Sequence, residues 1–524
     1  MDKWFERGIL GLVLAILVFA PLAMGAVDTW EFLVVQALTI ALMVLWALRV
    51  WLDPKPQLLW PPICWAVLAF MVYAVARYLA ADIEYVARQE LIQVLVCGFF
   101  FFAVINNLYR QEFSQVISFT LIFLAMGIAA YAIYQQATHS ARVWNVETPY
   151  TGRAPGTFIS PNNLAGFLEI LLPLATAYVL AGRMKIVTRI VMIYAALVIG
   201  VGLIVTFSRG GWLAAGIAMV VLLVALAGHR NHRVPALLLL LLLLGGAALA
   251  GKLYVSRSVA YRERVQGTVS NGHVELDRRL DLWRAAVHMW RDHPWFGVGP
   301  AHYDYRFRQY RSERVQRRPD RAHNDYLNLL ADWGLAGGVI VAAGIGTVVV
   351  GIFRTRRHVI RGENDFGGKV LSSRFAFFLG ASAALLALAV HSFADFNLHI
   401  PANALLGVCL LALLTSNLRF ATERYWFSLK DPFKRMTIAL LAGGIAYLGW
   451  QEVRRGHEYY HERQFLKAEA DLTLLDRAAL LEKVFAAEPK NFATAYEIGE
   501  AYRMQSFEGS GDFQAQAQTA IDWY

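Results

Sequence analysis

At 524 residues, 57% hydrophobic and only 17% charged, with a formal net charge of +10, the chain is too apolar for a soluble domain, where roughly a quarter of residues are charged. A soluble globule is excluded, and a polytopic membrane protein of all-α class is expected. Cys64, Cys97 and Cys409 are scattered through apolar stretches, so neither a disulfide framework nor a cysteine metal site is expected.

Apolar stretches recur at roughly 8–25, 31–52, 58–79, 91–108, 113–136, 162–181, 186–206, 211–228, 234–251, 327–353, 374–394, 400–418 and 435–451. Each is near the ~20 residues that cross a ~30 Å hydrocarbon layer as a helix, so twelve to thirteen spans are expected. The first also has the form of a signal peptide, with Lys3 and Arg7 before an apolar core and Ala23-Met24-Gly25 behind it. A second span follows within a few residues, which favours an uncleaved first span.

With the N-terminus on the cytoplasmic side, that side receives Lys3, Arg7, Arg49, Lys55, Arg110, Arg183, Lys185, Arg189, Arg230, Arg233, the run "RTRRHVIR" at 354–361, Lys369, Arg374, Arg419, Arg424, Lys430, Lys434 and Arg435. The opposite short loops hold only Arg77, Arg88, Arg142, Arg153 and Arg209. Cytoplasmic loops retain the basic residues, so this orientation is expected. It divides the chain into N-terminal transmembrane helices (1–150), a core (151–420) with a long outer loop at 252–326, a final transmembrane segment (421–452) and an outer tail (453–524). The outer loop carries Lys252 and fourteen arginines from Arg257 to Arg321 against nine acids. Arginine, whose forked guanidinium suits phosphate oxygens, points to an anionic ligand. A solvated loop resting on lipid headgroups is the plainer alternative.

Four stretches place polar groups at outer helix ends. "GRAPGTFISPNNLAGF" (152–167) runs into a span, where Pro161 ends the loop, Asn162 or Asn163 can cap the helix, and free helix-start amides face outward. "TFSRGGWLAAG" (206–216) is a tight turn between spans, in which Gly210 and Gly211 let the backbone reverse and Arg209 sits at the membrane boundary. An arginine there either snorkels or faces a ligand. "ELDRRLDLWRAAVHMWRDHPWFGVGPAHYDYRF" (275–307) reads as an amphipathic helix with Leu276, Leu280, Trp283 and Val287 on one side, ended by Pro294 and the "GVG" turn. Its Arg278, Arg279 and Arg284 could line a groove, and a lipid-surface helix fits equally. "RAHNDYLNLLADWG" (321–334) sets His323 before a span that Asn324 or Asp325 can cap, and histidine suits proton abstraction near neutrality.

His391, Asp395 and His399 stand four residues apart, a metal-binding spacing on an unbroken helix, but Asn397 and Pro401 argue against one. No metal or other cofactor is expected, no P-loop or HExxH is present, and no nucleic-acid partner is indicated. In the tail, "LEKVFAAEPKNFATAYEIGEAYRM" resembles a tetratricopeptide repeat, with Pro489 at a helix junction. One repeat cannot bury its own apolar face, so the tail is expected to dock on the membrane domain or meet further repeats, and a protein partner is possible there.

The motifs "GTFISPNNLAGF", "SRGGWLA", "RLDLWRAAVHMWRDHPWFGVG", "HNDYLNLLADWGLAGG" and "DFNLHIPANAL", in this order across roughly 150–420, resemble the bacterial O-antigen ligases and the related O-antigen polymerases and O-linking protein oligosaccharyltransferases. The resemblance implies a glycosyltransferase C-like enzyme of the bacterial inner membrane with a periplasmic site. It would move a glycan from undecaprenyl diphosphate to a hydroxyl of a lipid, glycan or protein acceptor, with inversion and without a metal. It assigns catalysis to Arg209, His323 and Arg279, although either Arg278 or Arg279 fits the loop arginine; Arg278, Arg153, Asn162, Arg284, Arg321 and Asn324 are expected to bind substrate. The final span and the tail depart from the simplest ligase pattern. A transporter of bicarbonate or another anion, and an inert scaffold, are the competing classes. A transporter calls for polar groups near mid-span, whereas here they gather at outer helix ends.

Overall fold

The computed structural model describes residues 2–140, 142–150, 152–256, 278–313, 315–316, 318–319, 321–364, 371–418, 425–468, 473–509 and 512–524. Leu276, Lys369, Arg419, Arg424 and the loop arginines at 257, 262, 264, 314 and 317 lie outside the described residues.

The protein is an all-α membrane protein. Nine helices among the described residues are long and apolar enough to cross a membrane. They belong to α1 (Asp2–Leu22), α2 (Thr29–Leu52), α4 (Glu84–Asn107), α5 (Gln111–Thr138), α6 (Pro161–Ala181), α7 (Ile186–Val205), α8 (Arg209–Ala227), α12 (Asp325–Asn364) and α13 (Ser373–His391). Shorter apolar helices occupy α3 (Ile63–Leu79), the first part of α9 (Arg233–Ser256) and α14 (Pro401–Asn417). The expected stretch 435–451 is the middle of α15 (Asp431–Ala468), which packs on α2 and continues as a polar helix. Between Arg435 and Glu452 its apolar run is shorter than those of the nine, and with the three shorter apolar helices it accounts for the remaining expected stretches.

The connections gather at two ends of the bundle. At one end, the Ala402 amide donates to the Gly25 carbonyl (3.1 Å), Ala154 to Val205 (3.2 Å) and Asp325 to Ser392 (2.8 Å). At the other, β1 (Gln57–Leu59) pairs antiparallel with β4 (Trp426–Ser428), and the Ser372 amide donates to the Ala181 carbonyl (2.9 Å). A second small pair, β2 (Arg142–Val143) with β3 (Val146–Glu147), follows α5. Leu197, Ile190, Leu241 and Leu242 are among many exposed apolar side chains on these helices, as an acyl-chain environment requires.

Helix α10 covers 278–292 and is followed by α11 (Tyr303–Tyr310). The buried face of α10 is Leu282, Ala285, Ala286 and Met289, an i, i+3, i+4, i+7 stripe. The expected face was one residue out of phase: Leu280 is exposed and Trp283 and Val287 are half-buried, whereas Leu282, Ala285, Ala286 and Met289 share a core cluster with Tyr303, Phe307 and Ala331.

Helix α12 is broken at Gly334, where φ is +64° and ψ −169°. The 294–299 loop enters the break: Val298 and Gly299 amides donate to the Ala331 and Asp332 carbonyls, and the Leu335 and Ala336 amides donate to the Pro294 and Trp295 carbonyls. A spanning helix can break only where another segment satisfies its freed backbone groups. A Cβ at 334 would stand 2.5 Å from the Gly297 nitrogen, so glycine is required there.

The tail forms α16 (Leu474–Ala487), α17 (Phe492–Glu508) and α18 (Phe513–Trp523) around Phe465, Leu481 and Ile498. It docks on the membrane domain through Glu488, whose buried carboxylate meets Arg88 of α4 (2.8 Å) and Arg454 of α15 (2.6 Å). Pro489 lies between α16 and α17, as expected.

Candidate active site

His323 precedes α12 with φ at +50°, a strained value for a non-glycine residue. Asn324 makes the next turn possible: its Oδ1 accepts the Tyr326 and Leu327 amides (3.1 and 3.0 Å) and caps the helix. The His323 ring is thereby aimed at the turn after α13, where its Nδ1 lies 3.1 Å from Asp395 Oδ1. The same oxygen accepts the Phe396 amide (2.9 Å), and the Phe396 ring meets the imidazole edge to face at 4.9 Å. A carboxylate at Nδ1 favours the Nδ1–H tautomer and leaves the Nε2 lone pair for a ligand. The His323 side chain is one-third exposed, and Asp395 is buried. Burial pushes the Asp395 carboxyl up, but His323, His391 and Arg279 outweigh it and hold the group below its ordinary value.

One arginine reaches the same turn, and a second begins a helix packed against it. Arg279 Nη1 donates to the Ala394 carbonyl (2.6 Å), whereas Arg278 is exposed. Arg209 is the first residue of α8, which Ser208 caps through the Gly211 amide. The reversal expected of Gly210 and Gly211 is made instead by Phe207, with φ at +50°. The glycines serve close packing: a Cβ at 210 would stand 2.8 Å from His391 Nε2 and 3.6 Å from Ala394 Cβ. Arg209 therefore begins its helix directly against the 391–395 turn that holds Asp395.

Arg153 braces this corner, donating from Nε to the Thr206 carbonyl (3.0 Å) and from Nη2 to Asn162 Oδ1 (2.6 Å). The α6 cap is Ser160, with Pro161 as the first helical residue, rather than Asn162 or Asn163, because Ser160 Oγ accepts the Asn162 amide. Arg321 lies between Glu90 (3.5 Å) and Asp332 (3.9 Å), inside the protein rather than at the His323 ring. Arg284 pairs with Asp281 (3.2 Å) on the exposed side of α10.

His391, Asp395 and His399 do not converge. The helix ends at His391 and a 3-10 turn covers Asn397–His399, so His391 faces Glu169 (2.8 Å), Asp395 faces His323, and His399 lies between Glu90 and Asp325 (3.9 and 3.7 Å). Burial, with the Arg321 guanidinium, holds His399 well below its ordinary range. Among the described residues, no group of three or more His, Cys, Asp or Glu side chains is arranged to hold a metal ion.

In the sequence Asp395 stands out by its spacing from two histidines, and nothing local marks it as the partner of His323, which lies 72 positions away. Glu169 is not among the expected site residues. An acid inside the apolar run "GFLEILLP" was the signal available, since ionisable groups in spans are costly.

Fold and site together define a multi-pass helical membrane protein with a histidine–aspartate pair and two arginines around one turn. Residues 193–342 match the family model described as O-Antigen ligase, which supports a membrane enzyme that transfers glycans. The match takes in Arg209, Arg279 and His323 but ends before Asp395 and begins after Arg153 and Asn162. No curated protein matches the chain.

Proposed function

We propose that the protein transfers a glycan from undecaprenyl diphosphate to an acceptor hydroxyl at the periplasmic face of the bacterial inner membrane. The observation that carries this reading is the single turn 391–395, which carries the Asp395 partner of His323, binds Arg279 and abuts the start of the Arg209 helix. In the reaction the sugar C1–O bond to the diphosphate breaks, and the acceptor oxygen bonds C1 from the opposite face, inverting the anomeric carbon. The acceptor proton passes to His323 Nε2, and the resulting imidazolium is stabilised by Asp395. Negative charge grows on the departing diphosphate, so the Arg209 and Arg279 guanidiniums bind the transition state more tightly than the ground state. Arg153 and Asn162 hold the Arg209 corner, and the exposed Arg278 and Arg284 attract the anionic donor. The acceptor is a lipid, a glycan or a protein, and the tail is where a protein partner would join.

The test has two parts. Mass analysis of envelope lipids, glycans and proteins from cells lacking the protein identifies the acceptor as the species that loses its glycan. Purified protein in vesicles, given the lipid diphosphate donor and that acceptor without added metal, is expected to form the inverted linkage. A retained anomeric configuration, or no transfer, rules the reading out.

A further inference from the structure

Glu169 and His391 are fully buried, and neither touches the outer solution. They sit on different helices, Glu169 within α6 and His391 at the last residue of α13, with His391 Nδ1 2.8 Å from Glu169 Oε2. A buried acid–base pair is expensive to desolvate, and apolar side chains of similar volume often serve stability as well or better. Its surroundings indicate what it supplies instead.

The two glycines after Arg209 are fitted to this pair. A Cβ at 210 would stand 2.8 Å from His391 Nε2, and one at 211 would stand 3.3 Å from Glu169 Oε2 and 2.7 Å from Ala165 Cβ. The His391 carbonyl also accepts the Ala394 and Asp395 amides (2.8 and 3.0 Å), so the turn that aims Asp395 hangs from His391. That turn offers the Ala394 carbonyl to Arg279. One buried contact thus fixes the backbone under Arg209 and, through three residues, the carboxylate that orients His323.

We propose that Glu169 and His391 are positioning residues that hold the Arg209 helix start and the Asp395–His323 pair in a single geometry, acting on the transfer step and not on folding. This deepens the glycan-transfer reading and rests on it for its kinetic part. Displacement of reacting groups by about 1 Å costs on the order of 10²-fold in rate.

The experiment compares wild type, Glu169→Gln, and the apolar pair Glu169→Leu with His391→Leu, in vesicles. The apolar pair is expected to keep or raise the thermal midpoint while kcat falls about 10²-fold and KM for the donor changes little. Glu169→Gln, which keeps the side-chain length and a polar group beside the imidazole, is expected to restore most of kcat. Should the apolar pair fail to fold, Gly210→Ala replaces it: the added methyl meets His391, and a similar loss of kcat is expected. The second readout needs no turnover. Diethyl pyrocarbonate modification of His323, followed by mass spectrometry, is expected to change rate in the apolar pair, or in Gly210→Ala, and not in Glu169→Gln. Unchanged kcat and unchanged His323 reactivity in a folded variant overturn the proposal. A changed His323 reactivity in a protein whose wild type moves no glycan supports the positioning role and overturns the glycan-transfer reading.

Discussion

The two ends of the bundle are built differently. At the end that carries His323, the non-glycine residues Met24, Ala26, His139, Trp144, Phe207, Ala301 and His323 all have positive φ. Among the described residues the opposite end has none, and its turns are satisfied by the β1–β4 pair and by ordinary helix ends. The charges follow the same division. At the opposite end, buried Glu6 is met by Arg49 (3.2 Å) and Arg110 (3.1 Å), and Arg49 also donates to Asn107 (2.8 Å). At the His323 end, Asp395 shares its oxygen between an imidazole and an amide, and the histidine keeps a third of its surface open. Backbone strain persists only where surrounding structure overdetermines it, and it collects at functional sites. One end holds the bundle together, and the other aims side chains.

Substitutions at the two ends should therefore differ in kind. The largest effect is expected for His323→Ala and Arg209→Ala, each lowering transfer by about 10²–10⁴-fold at unchanged membrane abundance, measured with the reconstituted donor. Full activity in both would erase the contrast. Asp395→Asn is expected to lower kcat by about 10²-fold, because an amide no longer selects the Nδ1–H tautomer. It also sharpens the pH behaviour. The folded carboxyl is held below its ordinary value, so its contribution to stability is present above about pH 4 and is lost as pH falls through the folded value. Thermal midpoints of wild type should drop on acidification below that pH, and Asp395→Asn should drop less.

Gly334→Ala should separate loop docking from chemistry. Its backbone lies in a region that only glycine adopts readily, and the added methyl meets the 294–299 loop, so destabilisation by about 1–3 kcal/mol is expected. Limited proteolysis within 293–302 would report it as faster cleavage. The smallest effect is expected for Arg110→Ala at the opposite end. This half-exposed arginine pairs with a carboxylate that keeps Arg49, so a change of about 0–1 kcal/mol and unaltered transfer are expected. A loss of transfer there would break the division between the two ends.

The sequence by itself determined the membrane class, the helix positions and the gathering of polar groups at helix ends, because hydrophobic run length and capping residues are local properties. His323, Arg209, the capping Asn324 and the stop at Pro294 were all legible that way. What tertiary structure alone decided was pairing. Asp395 joins His323 across 72 positions, Arg279 rather than Arg278 reaches the Ala394 carbonyl, and Glu169 meets His391 between two helices. The phase of α10 and the break at Gly334 depend likewise on what packs against them. Period and length fix a helix from within, whereas the direction of a side chain and the satisfaction of a broken backbone depend on segments distant in the chain.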